Sequence, residues 1–226
     1  MSDIAFHPAR RNQLLAQLPS HEWERLLPYL EPVDMQRDAV LYNCAHSCDV
    51  YFPTSATVSL LYLTEDGATP EIAVVGNDGL VANTEFFGNY ASTSMAKVQI
   101  AGSGYRLSAS VLKGELDHSL GLLRVLMNYS QDLFRQMAQT IVSKSHQAVE
   151  DQLSRRLLLS LDRLSSNTIL MTQEILASTL NVRRESITKA AGRLQLQGLI
   201  KLSRGRITVT NRAGLEQRAG ECYATA

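Results

Sequence analysis

Residues 172–200 read TQEILASTLNVRRESITKAAGRLQLQGLI, and their pattern predicts two short helices joined by a tight turn. Asn181 follows the apolar positions of the first helix, and asparagine tolerates the left-handed backbone with which many helices end. In the second helix, apolar residues at i, i+3, i+4 and i+7 should form a buried stripe of Ile187, Ala190, Ala191 and Leu194. The arrangement is typical of a helix-turn-helix, which presents the start of its second helix to the major groove of DNA.

The opposite face of the second helix carries side chains suited to reading bases. Arg184, Glu185, Thr188 and Lys189 share this face. Arginine can bind guanine through two hydrogen bonds, glutamate can accept from cytosine N4, and lysine can reach guanine or phosphate. We therefore expect base contacts from Arg184, Glu185 and Lys189.

The segment after Gly198, LIKLSRGRITVTNR, predicts two short strands around a tight turn at Arg204 and Gly205. A basic hairpin directly after a helix-turn-helix is typical of a winged helix, and it disfavours the alternative of an ordinary helical hairpin. Side chains at the hairpin tip are placed to hold phosphates beside the groove. The predicted phosphate contacts are Thr172, Thr188, Arg193, Arg204 and Arg206.

The charge distribution supports a nucleic-acid partner for the C-terminal part of the chain. The 226 residues have 22 basic and 22 acidic side chains, so the net charge is zero. From residue 150 onward, however, 12 basic side chains face 7 acidic ones, and the preceding residues carry the compensating negative charge. Positive charge is thus concentrated on the segment that contains the predicted helix-turn-helix.

The composition excludes several other classes of protein. No stretch approaches the eighteen or so apolar residues of a membrane helix, and the N-terminus lacks the apolar core of a secretion signal, so a cytoplasmic protein without membrane contact is expected. Three cysteines, Cys44, Cys48 and Cys222, predict neither a disulfide framework nor a zinc site. His46 lies between the first two, which leaves metal binding or oxidation sensing open, although a plain loop is favoured.

The residues before position 116 predict a sensor-like domain built mainly of strands. Short helices are expected in residues 12–30, with Ser20 as an N-cap. Within residues 33–107, the runs VYFP, ATVSLLYL, EIAVV and AKVQI predict a small antiparallel barrel or roll. Gly102 and Gly104 indicate a turn. The fold class is therefore α+β, with a β-roll domain at residues 1–115.

A change of period from two to about three and a half predicts one long helix over residues 116–147. Its apolar seam could pack on its own barrel, but a homodimer is favoured because helix-turn-helix proteins usually read DNA in pairs. The helix would then be a dimerisation element between the β-roll and a winged helix-turn-helix domain at residues 148–226. The predicted seam is Leu120, Leu123, Met127, Phe134, Met137 and Ile141.

A roll, a long helix and a winged helix in this order resemble the Crp/Fnr family of bacterial transcription regulators. The resemblance is strongest in VRRESITKAAGRLQLQGLI and RGRITVTNRAGLEQRAGECY, residues 182–200 and 204–223. It implies base contacts from Arg183 and Ser186 beside Arg184, Glu185 and Lys189. Many relatives have a capping serine where this chain has Arg183, and an arginine cannot cap in that way. The resemblance also implies RNA polymerase as a partner.

The resemblance weakens in the sensor, where cyclic-nucleotide-binding relatives carry a Gly-Glu pair and an Arg followed by Ser or Thr. Here Ala82 and Asn83 align with the first pair, and Ser92 and Thr93 with the second. Without the arginine, cyclic AMP binding is not expected. The effector of the roll is therefore unidentified, and we expect its pocket at Asn83, Glu85, Ser92 and Thr93.

No cofactor and no enzymatic activity are predicted. An iron-sulfur sensor needs four cysteines and this chain has three, and no feature of the sequence identifies any of the five histidines as a haem ligand. A cupin-like metal enzyme on the barrel would need a cluster of His and Glu at metal-ligand spacing, which the five scattered histidines do not provide. A cyclic-nucleotide or other small-ligand binding module that does not touch DNA is the second alternative, but it would have no use for a basic wing.

Overall fold

A computed structural model describes residues 7–43, 49–65, 67–82, 94–164 and 166–223 of the chain. The chain divides into two compact units. The first comprises Met1–Asp66 and Ala73–Phe134, and the second comprises Gly67–Ile72 and Arg135–Ala226. The predicted α+β architecture of a roll, a long helix and a C-terminal helix-turn-helix is confirmed.

The N-terminal helices of the first unit are fastened to the strands by one buried side chain. A 3-10 turn at Pro8–Arg11 precedes α1 (Gln13–Ala16) and α2 (Ser20–Leu26). The Asn12 side chain, fully buried, accepts from the N–H groups of α1 and donates to the carbonyl oxygens of Pro53 and Gly79 at 2.9 and 2.8 Å. Pro19, rather than the predicted Ser20, occupies the N-cap of α2, so Ser20 is the first helical residue and the helix has no side-chain cap.

The strands form two antiparallel sheets. They are β1 (Glu31–Met35), β2 (Val40–Asn43), β3 (Asp49–Pro53), β4 (Thr57–Tyr62), β5 (Glu71–Val75), β6 (Ser94–Ile100) and β7 (Gly102–Ser108). One sheet has the order β1-β7-β3 and the other has the order β2-β6-β4-β5. The four apolar runs singled out in the sequence all lie in these strands, and the predicted roll is confirmed.

Gly102 and Gly104 do not form the predicted turn; they lie in β7, which pairs with β1 and β3. A Cβ at Gly102 would lie 2.5 Å from the main-chain nitrogen of Ala56, and one at Gly104 would lie 2.8 Å from the sulfur of Met35. Glycine is needed here because neighbouring atoms approach the strand too closely for a side chain.

The long helix is α4 (Leu120–His146), which follows α3 (Ala109–Leu116). It begins four residues later than predicted, where the Ser119 hydroxyl accepts from the N–H of Leu122 at 3.0 Å. Leu122, Leu126 and Tyr129 are buried in the core of the first unit. The predicted seam lies on other positions of the helix and is largely exposed: Leu120 72%, Leu123 39%, Met127 61%, Phe134 73% and Ile141 66%, with Met137 half-buried.

The second unit is organised around α5 (Val149–Leu161), whose leucines at positions 153, 157 and 158 are fully buried. It continues with β8 (Thr168–Ile169), α6 (Gln173–Leu180), α7 (Arg184–Leu196), β9 (Ile200–Ser203), β10 (Arg206–Val209) and α8 (Arg212–Ala219). The strands form a small antiparallel sheet in the order β8-β10-β9. Apolar side chains from α5, α6, α7 and α8 share the core of this unit: Leu153, Leu157, Leu176, Ile187, Leu194 and Leu215.

Two buried arginines of α5 tie distant parts of the second unit together. Arg156 forms an ion pair with Glu71 at 2.8 Å, and both side chains are almost completely buried. Arg155 donates to the carbonyl oxygens of Cys222 at 2.7 Å and of Gln136 at 3.3 Å. Burial lowers the pKa of Arg155 to about 10.

None of the described helices combines the length and the apolar character that crossing a membrane requires.

Candidate nucleic-acid interface

The turn between α6 and α7 has the geometry that its sequence predicts. Asn181 ends α6 in the left-handed conformation, with φ 54° and ψ 47°. The N–H of Val182 donates to the carbonyl of Ala177 at 3.0 Å, which satisfies an orphan carbonyl at the end of the helix. At the other end of α6, the Thr172 hydroxyl caps the helix by accepting from the N–H of Ile175 at 3.3 Å. Both ends of α6 are thus fixed by capping contacts.

The recognition-helix candidate α7 begins at Arg184, and Arg183 is its N-cap residue without any side-chain capping bond. The helix is instead fixed by its buried face. The predicted stripe is confirmed, since all four of its members are buried: Ile187, Ala190, Ala191 and Leu194. Packing of this stripe determines which side chains of α7 point outward.

Most of the predicted base-contacting side chains are on the exposed surface of the second unit. Arg183 is exposed at the N-cap of α7, and Arg184, Glu185 and Lys189 are exposed on the outward face of the helix. Ser186 is half-buried at the margin of that face. Among the described residues, no acidic group forms an ion pair with Arg183 or Lys189. These charges therefore remain available to an external ligand.

The segment predicted to be a wing forms a hairpin of β9 and β10, and this hairpin is called the wing below. Arg206 pairs with Ser203, and Gly205 has φ 71° at the turn, a conformation that glycine adopts without strain. The Gln195 side chain of α7 accepts from the N–H of Leu202 at 2.8 Å, so the hairpin is held against the helix. Arg204 and Arg206 are exposed, and within the described part of the chain neither forms an ion pair.

A cleft of about 430 Å³ lies between the start of α6, the start of α7 and the wing. Thr172, Arg184, Arg204 and Arg206 all line it, although 34 positions separate the first from the last along the chain. Three guanidinium groups on one groove attract a polyanion, and the Thr172 hydroxyl adds a hydrogen-bond donor. The positive charge of the cleft suits a phosphodiester backbone.

Two of the predicted phosphate contacts are engaged within the protein. Arg193 forms an ion pair with Glu150, the second residue of α5. A hydrogen bond from its own main-chain amide and then the Arg193 guanidinium lower the pKa of the Glu150 carboxyl. The Thr188 hydroxyl lies 2.8 Å from Oε1 of Gln173 and 3.1 Å from the carbonyl of Arg184. Arg193 and Thr188 therefore make contacts between helices, and a phosphate would have to compete with Glu150 for Arg193 and with Gln173 for Thr188.

Sequence reasoning missed two residues at the start of α6. Glu174 lies in the cleft with its carboxylate 3.6 Å from Nε of Arg184, and Gln173 contacts Thr188. No local periodicity links residues ten and fifteen positions apart. The available signal was that the first turn of the leading helix in a helix-turn-helix must pack near the exposed face of the second.

The remaining predicted sites lie largely outside the described residues. The effector-pocket candidates Asn83, Glu85, Ser92 and Thr93 do so, as do Cys44 and Cys48. Within the described ranges, no group of three or more His, Cys, Asp or Glu side chains is arranged to hold a metal ion.

Comparison with known proteins connects this geometry to a family. Residues 152–218 match the family model described as a Crp-like helix-turn-helix domain. No curated protein matches the sequence at a significant level.

Solved structures share the fold across nearly the whole chain. FixK2 from Bradyrhizobium japonicum aligns with a TM-score of 0.70 at 17% identity, over 87% of this chain and 99% of that one. A Crp/Fnr-family transcriptional regulator from Eubacterium rectale aligns with a TM-score of 0.69 at 17% identity, covering 93% and 99% of the two chains. Another from Thermus thermophilus gives a TM-score of 0.65 at 20% identity, with 84% and 98% covered.

Proposed function

We propose that this chain is a DNA-binding transcription regulator of the Crp/Fnr family and that it binds a two-fold symmetric DNA site as a homodimer. The observation that carries the proposal is the outward-facing start of α7, which stands beside a cleft with three arginines. An exposed basic helix start and a basic wing on one cleft suit a groove together with its flanking phosphates.

In the proposed complex the start of α7 enters the major groove. Arg184 reads guanine, Glu185 accepts from a cytosine amino group, and Lys189 reaches guanine or phosphate one turn further along. Arg183 and Ser186 contact neighbouring bases. The phosphate contacts come from the cleft and its surroundings: Thr172, Thr188, Arg193, Arg204 and Arg206.

The proposed dimer interface is the exposed apolar seam of α4. Five large apolar residues that recur at steps of three, four and seven face solvent on a helix whose other side is buried. Such a stripe is costly to leave in water, and a second copy of the same helix covers it at the spacing of a coiled coil. In the proposed dimer the two recognition helices bind consecutive turns of DNA.

The roll is proposed to hold the regulatory input, an unidentified small molecule rather than cyclic AMP. An effector shifts the equilibrium between DNA-binding and non-binding states only through different affinities for the two. RNA polymerase is the proposed protein partner, and the cytoplasm the proposed location. Titration with fluorescent cyclic AMP tests the alternative of a cyclic-nucleotide module, because saturable binding at about micromolar ligand would overturn this assignment.

Selection of bound DNA from a random pool tests the proposal directly. The expected result is a palindromic motif whose half-sites are centred about 34 Å apart. The Arg184→Ala variant serves as a comparison, and its motif should lose information at one base pair of each half-site. An asymmetric motif would contradict the dimer, and a failure to enrich any sequence would contradict sequence-specific binding.

A further inference from the structure

We propose that Glu174 is a specificity-determining residue, which holds Arg184 in reserve for guanine and keeps it from phosphates. This inference rests on the proposed role of Arg184 in base reading. The Glu174 carboxylate lies 3.6 Å from Nε of Arg184, and the two side chains are 73% and 67% exposed. The pair is therefore solvated, and a DNA ligand can open it at little cost.

The position of Glu174 is unfavourable for DNA binding in general. Glu174 is the acidic residue among the described residues that line the cleft, which it shares with Arg184, Arg204 and Arg206. A carboxylate in this cleft repels every phosphate that approaches, whatever the DNA sequence. Repulsion alone would weaken binding to all DNA alike, so the selectivity comes from the pairing of Glu174 with Arg184. The pairing withholds one cation from non-cognate DNA, whose affinity depends almost entirely on phosphate neutralisation.

Cognate DNA offers Arg184 a better partner than Glu174. Guanine presents O6 and N7 together, so a guanidinium that leaves the carboxylate gains two hydrogen bonds at once. Other bases do not present this pair of acceptors, and on them Arg184 remains with Glu174. On non-cognate DNA the Arg184 guanidinium therefore stays paired with Glu174, and on the cognate base pair it leaves Glu174 and binds guanine.

A second contact strengthens the link between the start of α6 and the reading face. Gln173 contacts the Thr188 hydroxyl, which also lies 3.1 Å from the carbonyl of Arg184. Adjacent residues of α6 therefore touch two side chains of α7 that lie one helical turn apart. The two contacts hold the start of α6 beside the outward face of α7.

The test compares Glu174→Gln with Glu221→Gln, an equal change of charge at an exposed position of the same unit that does not line the cleft. Dissociation constants are measured at several salt concentrations on the selected site, on a site with the guanine replaced, and on random DNA. For Glu174→Gln we expect random DNA to bind about 5- to 10-fold more tightly, with a salt slope steeper by about one unit. The selected site should change less than about twofold, so the specificity ratio falls roughly fivefold.

Further variants separate this inference from the proposed function beneath it. Glu174→Asp keeps the charge and should retain most of the specificity ratio, and in an Arg184→Ala background Glu174→Gln should leave the ratio unchanged. Equal tightening on all three DNAs by Glu174→Gln would overturn the inference, because it indicates charge repulsion alone. If Arg184→Ala itself preserves the preference at every base pair, the proposed function of Arg184 has failed instead. Thermal melting checks that each variant is folded.

Discussion

Replacing Phe134 with alanine should weaken dimerisation strongly while leaving the folded monomer almost unaffected. Phe134 lies in the middle of α4 and is 73% exposed, whereas Leu126 and Tyr129 of the same helix are buried in the core of the first unit. A side chain that contributes so little to its own core can be removed at small cost to folding. If the seam is the dimer interface, the same side chain contributes its area there.

The expected magnitude follows from the exposed area. A fully packed phenylalanine buries about 200 Å², so the exposed 73% leaves roughly 150 Å² for a partner. Alanine removes about two-thirds of this area, which at about 25 cal/mol per Å² amounts to about 2.5 kcal/mol per copy. A symmetric dimer contains two copies, so the dissociation constant should rise by roughly three to four powers of ten.

Sedimentation equilibrium over a wide range of protein concentration measures this constant directly. Leu196→Ala is the matched control, because Leu196 is 90% exposed but belongs to α7 rather than to the seam. The control should dimerise like the unaltered protein. Thermal unfolding at concentrations below dissociation should show a monomer stability within about 0.5 kcal/mol of the original. Equal dissociation constants for the two variants would refute the seam on α4.

Three further outcomes are expected. Arg184→Ala should lose about 1–3 kcal/mol of binding free energy on the selected site and relax the preference at one base pair, whereas Arg204→Ala should weaken binding to all DNA alike and reduce the salt slope by about one. Binding titrations on specific and random DNA distinguish the two variants, and identical losses would contradict the two roles. Arg156→Met should lower the free energy of unfolding by about 3–5 kcal/mol, because it removes the buried guanidinium that the Glu71 carboxylate contacts. Urea unfolding measures this loss, and a loss below about 1 kcal/mol, typical of exposed pairs, would mean that the pair is solvated. Because the pKa of Glu150 is lowered in the folded state from its ordinary 4.5, the stability that this carboxylate contributes is present at neutral pH and is lost as the pH falls below that value. Glu150→Gln should therefore make the melting temperature depend less on pH between about pH 5 and 3, and an unchanged fall of the melting temperature in acid would exclude this carboxyl as its source.

The parts of the interface that the sequence predicted are those governed by local pattern. The stripe through Ile187 and Leu194 recurs with the period of a helix, so burial of one face exposes the other whatever surrounds it. Asn181 and Gly205 mark places where the backbone must adopt a left-handed conformation, and both do so. The β-branched runs likewise predicted strands, and all of these features are correct in the structure.

Other features went beyond local pattern and were missed or misplaced. Gly102 and Gly104 resemble a turn in isolation, but close neighbours at Ala56 and Met35 require glycine within a strand. The start of α4 moved to Leu120 because Ser119 supplies a cap, a choice that periodicity alone does not reveal. In each instance the deciding atom belongs to a contact that the hydrophobic pattern does not encode.

Helix periodicity, turn residues and charge are all read within a few positions, so the amino-acid pattern was enough to indicate a basic helix-turn-helix followed by a hairpin at the end of a strand-rich chain. The partners of those charges depend on tertiary packing. Packing of α6 against α7 brings Glu174 to Arg184, and the fold of the second unit brings Glu71 to Arg156, 85 residues away. Ion pairs of this kind depend on how elements pack together, because their partners lie far apart along the chain and no local pattern links them.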